Sequence, residues 1–305
     1  MIRSLAVGPD AETFHVDGHR FNLEMRWPKS TSVSTMTYGV SERQSLILEG
    51  GAGGPQGRPG DYLYMNGVGR RFRQGAWGMI RVLGKQVPQL QPLPGTSVPL
   101  GGSPLPTPTG GRPPASPASG NPCPNGAPER HFKISAVDRP VGSPLGTLAA
   151  FVPTPDAAAV ESGALRPEPL VMHAAAGECI VAELTNRRSI RASLHADELV
   201  RSQESAGINI GYGPEQTAAP GESRVYRYYA DTRDIGSAQL SDYGDVDSGR
   251  DGLYGAIVVA DKGAKFYDSR SGAPTSVGSQ VDVHLPSGDA YRDFTLNLAD
   301  DDPVI

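Results

Sequence analysis

The feature that most limits what this chain can fold into is the spacing of its apolar residues. They come in short runs rich in β-branched and aromatic residues, bounded by Gly, Pro, Asn or Asp. No stretch sustains the apolar repeat of an amphipathic helix. Up to residue 83 the runs are Phe14 to Leu23, Ser45 to Glu49, Asp61 to Tyr64 and Trp77 to Val82, with a turn cluster from Gly50 to Gly60. Between 129 and 262 they are His131 to Val137, Pro169 to His173, Glu178 to Leu184, Ser189 to His195, Ser223 to Tyr229 and Tyr254 to Val259. Ala176-Gly177, Pro220-Gly221 and Asp251-Gly252 mark turns, and residues 156–163 suit one short helix. Many short strands joined by turns pack as two facing sheets, so the expected class is an all-β sandwich.

Two stretches break this pattern. Residues 84–128 are dominated by Pro, Gly, Ser and Thr and hold 13 of the chain's 28 Pro and 8 of its 38 Gly. Such a segment cannot bury enough apolar surface to offset its ordering entropy and reads as a linker. Residues 263–280 read as a second linker. The expected organisation is therefore a partial sandwich at 1–83, a linker at 84–128, a sandwich domain at 129–262, a linker at 263–280 and a terminal segment at 281–305. That last segment has one strand, Tyr291 to Leu298, which must be an edge strand or the opening strand of a further domain. Half a sandwich leaves open edges, so both ends look cut. The expectation is a fragment of a longer chain, or a chain that pairs with another.

The formal net charge is -5 and the basic residues are scattered, which argues against a nucleic-acid surface. No apolar run is long enough to cross a bilayer. No signal peptide precedes Gly8-Pro9-Asp10, which fits either a cytoplasmic chain or one lacking its true N-terminus. Of the two cysteines, Cys123 sits in the Pro/Gly-rich tract and Cys179 in a strand-like run. Spacing alone does not pair them, and the ordinary expectation is two free thiols.

Gly177 to Asn186 reads G-E-C-I-V-A-E-L-T-N. Ser193-Leu194-His195 follows, then P-G-E-S-R-V-Y-R-Y from Pro220 to Tyr228 and G-L-Y-G-A-I-V-V from Gly252 to Val259. In order and rough spacing these resemble four strand motifs of the multicopper oxidases. In the first region, Phe14 to Phe21 resembles that family's F-H-x-H-G-H-x-F. Pro59 to Tyr64 and Gly75 to Val82 resemble its closing strands, and Tyr291 to Leu296 the opening strand of a next domain. The style is that of large multi-domain bacterial members and the ceruloplasmin-like group. The resemblance implies Greek-key, cupredoxin-like domains and an extracellular or cell-envelope setting. It also implies, as partners, other cupredoxin domains of the same or a partner chain.

The family's chemistry needs a copper held by two His and a Cys thiolate, plus paired His-x-His elements for a trinuclear centre. Here the thiolate strand reads Met65-Asn66-Gly67 in the first region and roughly Ser241-Asp242-Tyr243 in the second. The His expected three residues before His15 falls at Glu12. Each His-x-His element keeps one imidazole: His15-Val16-Asp17 and His195-Ala196-Asp197. The resemblance thus implies copper-dependent oxidation of a metal ion or phenol-type substrate, with reduction of dioxygen, in the full assembly. It implies no complete copper site in this chain. His15 and His195 are the candidate metal ligands, with Asp17 and Asp197 as weaker ones. The alternative is a non-catalytic structural or interaction module.

The remaining signals have plainer readings. His19 reads as structural, and His131, His173 and His284 as polar surface or core residues. Met79 reads as strand core. Gly50 to Gly54 reads as a hairpin loop, since no helix or Lys-Ser/Thr follows. Asp242, Asp245, Asp247 and Asp251 do not match a calcium-loop pattern and read as a solvated loop. Ser41 and Ser45 lie in no nucleophile-elbow sequence.

Overall fold

A computed structural model of the chain describes residues 1–83 and 121–298, apart from positions 9, 26, 28, 55, 56, 68, 143–145, 197, 212 and 246–251. Most of the expected first linker, the Asp300 to Asp302 run and Asp197 lie outside the described residues. The described part is all-β, with short helices, and divides into two compact units.

The first unit holds β1 (Ile2–Leu5), β2 (Glu12–Val16), β3 (Phe21–Asn22), β4 (Ser32–Val33), β5 (Thr35–Tyr38), β6 (Arg43–Leu46), β7 (Gly60–Met65), α1 (Gly69–Arg73) and β8 (Trp77–Val82). One antiparallel sheet runs β5-β2-β7-β8, and two short ladders pair β1 with β6 and β3 with β4. Strand alternation sends Met36 and Tyr38 inward, where they meet Phe21, Leu46, Leu48 and Ala6 in one apolar cluster. β8 has a single neighbour, and Met79 is 45% exposed there. That corrects the expectation of Met79 as strand core: an edge strand is covered from fewer sides.

The second unit holds β9 (Glu129–Gly142), β10 (Gly146–Pro153), α2 (Ala157–Glu161), β11 (Leu170–Ala175), β12 (Cys179–Asn186), β13 (His195–Ala196), β14 (Val200–Arg201), β15 (Ser223–Tyr229), β16 (Gly236–Ser241), β17 (Tyr254–Ala260), β18 (Lys265–Asp268), β19 (Gln280–His284) and β20 (Ala290–Phe294). Its five-stranded sheet, β10-β9-β12-β15-β14, and four-stranded sheet, β11-β17-β16-β13, share one core. The first contributes Phe132, Ile134, Phe151, Ile180 and Leu184, and the second Leu170, Met172, Leu240, Ile257 and Val259. β9 runs parallel to β12, and β11 parallel to β17, so strands distant in sequence are adjacent in each sheet. Tyr226 and Tyr228 are fully buried, with their hydroxyls donating to Gln216 O (2.6 Å) and Leu194 O (2.9 Å). A buried phenol needs such a partner.

Three expectations are corrected in this unit. Residues 263–280 are not linker throughout. Phe266 of β18 is buried with Ala175, Ala260, Ala264, Val281 and Val283, and β18-β19-β20 form a three-stranded sheet. Ser276 to Gly278 then lie along β11 through Ser276 O, the Met172–Val277 bridge and Gly278 N–H to Val171 O. Ser189 to His195 is mostly not strand. Asn186 Nδ2 donates to Ile190 O (2.8 Å), and Asp242 accepts from the Ser193 amide (2.6 Å), so side chains take the place of a ladder. The end of the expected first linker is tied down too. Pro128 O accepts from Cys179 N, and Cys123 is disulfide-bonded to Cys179.

Candidate metal positions

His15 lies near the end of β2, opposite Met65 of β7, and is 2% exposed. Its Nδ1 is 3.0 Å from Ser34 O and 3.0 Å from Thr35 Oγ1. A carbonyl only accepts, so Nδ1 carries a proton towards Ser34 O. His195 repeats this arrangement in the second unit. It lies opposite Ser241 of β16, is fully buried, and has Nδ1 on Ala206 O. The Tyr243 and His195 rings meet in a T-shaped contact, 4.6 Å between centroids. Metal-bound imidazoles hold their second nitrogen this way, and so do buried structural ones. His15 and His195 belong to different units.

Asp17 is buried, with its amide donating to Leu63 O. Its carbonyl accepts from His19 Nδ1 at 2.8 Å. His19 Nε2 accepts from Gly53 N at 2.9 Å, so both His19 nitrogens are engaged within the protein, as the structural reading expects. Gly53 has φ +95, and a Cβ there would meet Arg58 backbone atoms at 2.7 and 2.9 Å. The Gly-rich loop therefore serves to bring one backbone amide onto His19.

The strand positions that would carry a copper thiolate hold hydrogen bonds. Asn66 follows β7 directly. Its Nδ2 donates to the Glu12 carboxylate and its Oδ1 accepts from Thr13 Oγ1 at 2.9 Å. Glu12 and Asn66 are thus direct neighbours. Thr13 Oγ1 also accepts from Gly67 N at 2.5 Å. Arg71 pairs with Asp10 and lies 4.0 Å from Glu12. In the second unit Asp242 follows β16 directly. Its Oδ1 accepts from Ser193 N (2.6 Å), Ser193 Oγ (3.0 Å) and Gly244 N (2.8 Å). Ser193 Oγ accepts from Tyr243 N at 2.9 Å. This buried carboxylate is bonded into the fold, which corrects its reading as part of a solvated loop.

The cysteines are the decisive donors. Cys123 and Cys179 form a disulfide with Cα atoms 5.6 Å apart, which corrects the expectation of two free thiols. Copper of the blue type needs a thiolate, and a disulfide sulfur is not one. Among the described residues no three of His, Cys, Asp or Glu converge on a shared point. The donor set present does not fit the family's copper centres.

The other histidines lie apart. His131 and His284 are on the surface, beside Glu129 (3.0 Å) and the Tyr267 ring (4.7 Å between centroids). His173 is fully buried, packed on Phe266 at 5.4 Å, with Nε2 2.8 Å from Gly278 O. Burial holds its pKa below the ordinary histidine value, partly opposed by that carbonyl. No local pattern signals this, because the contact depends on residues 276–278 folding back along β11.

Among the described residues no helix is long and apolar enough to cross a membrane. No protein-family model matches the chain, and no curated protein sequence matches it. Solved structures similar to it are multicopper oxidases. One is a multi-copper oxidase from Pseudomonas thermotolerans, at 14% identity over 45% of this chain and 30% of that one, TM-score 0.36. Another is the blue copper oxidase from Nitrosomonas europaea, at 17% over 44% and 39%, TM-score 0.34. A third is a multicopper oxidase from Campylobacter jejuni, a metallo-oxidase, at 15% over 50% and 29%, TM-score 0.35. The match spans well under half the length of each of these three proteins, and likeness at this level carries no argument about activity.

Proposed function

We propose that this chain supplies copper-free, cupredoxin-like domains to a multicopper-oxidase-like protein. The copper-dependent oxidation of a metal ion or phenol-type substrate, with dioxygen reduced to water, would belong to the whole assembly and its other cupredoxin domains. The observation that carries this reading is the Cys123–Cys179 disulfide, which leaves neither cysteine as a thiolate for copper while the family's strand motifs remain in order. The replacement of the expected thiolate by Asn66 and Asp242 supports it independently. A structural disulfide also supports an extracellular or envelope setting, since such bonds persist in oxidising compartments.

Oxygen uptake with ferrous iron, cuprous ion and a diphenol separates the readings. This chain, supplied with copper, is expected to show no copper-dependent uptake, whereas an assembly that joins it to copper-bearing cupredoxin domains does. Copper-dependent turnover by this chain alone would overturn the proposal. Absence of turnover in the assembly as well would favour the structural or interaction module.

A further inference from the structure

We propose that Thr13 with Asn66, and Ser193 with Asp242, are two copies of one hydrogen-bond clasp that closes each unit without metal. Naming these places as former thiolate positions rests on the multicopper-oxidase-like reading; the clasp itself rests on geometry. In both units a hydroxyl stands two residues before the buried His, as Thr13-Phe14-His15 and Ser193-Leu194-His195. In both, that hydroxyl donates to Oδ1 of the residue just past the paired strand, Asn66 at 2.9 Å and Asp242 at 3.0 Å. In both, it accepts from the next amide, Gly67 N at 2.5 Å and Tyr243 N at 2.9 Å. The register agrees as well, since His15 lies opposite Met65 and His195 opposite Ser241, each one residue before the clasp.

The same donor and acceptor roles, at the same register, in two units of different sequence mark a built feature. Each clasp ties the His-bearing segment to a strand about 50 residues away, the span a shared metal would otherwise bridge. The clasps differ in charge. Asp242 meets three donors, which suits a carboxylate. Asn66 instead faces the Glu12 carboxylate and must donate to it, which suits an amide.

Thermal unfolding and hydrogen exchange of the full chain test this. Thr13→Val and Ser193→Ala are each expected to lower the unfolding midpoint by about 3 °C or more. Amide protection is expected to fall around 13–17 and 64–67 in the first variant, and around 193–196 and 241–244 in the second. Asn66→Asp is expected to destabilise by opposing Glu12, and adding Glu12→Gln to restore the midpoint. Asp242→Asn keeps the acceptor and is expected to fall between wild type and Asp242→Ala. Copper(II) or a chelator is expected to leave the wild-type midpoint unchanged. Unchanged protection in both hydroxyl variants would overturn the clasp, as would a copper-induced rise in midpoint that those variants abolish. Oxidase activity in an assembly with copper-bearing domains, present or absent, bears on the proposed function and leaves this outcome untouched.

Discussion

Cys123 is bonded to Cys179, joining the segment ahead of β9 to the first residue of β12 across a separation of 56 residues. Closing a loop of that size removes about 4 kcal/mol of unfolded-state entropy in the chain-entropy account. Reduction, or the Cys123→Ala/Cys179→Ala pair, is therefore expected to lower stability by roughly 2–4 kcal/mol. Urea unfolding with and without reductant measures it. No shift would mean that the bridge does not form in solution.

Arg130 joins three parts of the second unit. Its guanidinium meets Glu178 at 2.5 and 2.7 Å, donates to Ser276 Oγ at 2.8 Å, and lies 5.4 Å from the Phe266 ring. Arg130→Ala is expected to cost about 1.5–3 kcal/mol, the range for hydrogen bonds to charged groups. Arg130→Lys is expected to recover little, because an ammonium cannot reproduce the two-pronged contact. Faster amide exchange in β18 and β19 of the alanine variant would accompany the loss. A full rescue by Lys would contradict this role.

His173 gives the stability a pH dependence of definite sign. Its folded pKa is lowered, chiefly by burial, with Asp293 raising it and Arg130 lowering it further. Below the ordinary value of 6.5 the unfolded chain takes up a proton that the folded chain refuses. The contribution of the neutral imidazole is therefore whole above that pH and declines as pH falls from there towards the folded pKa. Urea midpoints between pH 7.5 and 5 are expected to drop more steeply in wild type than in His173→Gln. Equal slopes would show that His173 is not the group responsible.

Gly53→Ala is expected to destabilise the first unit by more than about 1 kcal/mol, since φ +95 and the Arg58 backbone both oppose a Cβ. His19→Ala removes the acceptor of the same amide and should act in the same direction. Thermal midpoints of the two variants check this, and a neutral Gly53→Ala would refute the geometry of the loop.

How much of this was legible depended on which interactions are local. β15 and β8 coincide with the runs Ser223 to Tyr229 and Trp77 to Val82, because alternation and turn residues announce such strands. β10 carries no such signal, and of β16 only its end at Ser241 matches a strand motif. G-T-L-A-A-F-V-P and G-S-A-Q-L-S are rich in small or polar residues, and only the facing sheet shows that Phe151, Ala238 and Leu240 point inward. His15 and His195 could be singled out from motif positions, as could the missing thiolates. The disulfide could not, since pairing depends on residues 121–128 folding back onto β12. The clasps had one faint signal, the hydroxyl two residues before each His. Its partners Asn66 and Asp242 become neighbours only through strand pairing.

A cupredoxin-like sandwich without a copper thiolate should hold no blue copper, which metal content and visible absorption read together. The purified, disulfide-intact chain is incubated with copper(II), freed of excess by desalting, and read by elemental analysis and absorption. Substoichiometric copper and no intense blue thiolate-to-copper band are expected. One copper per chain with that band would contradict this.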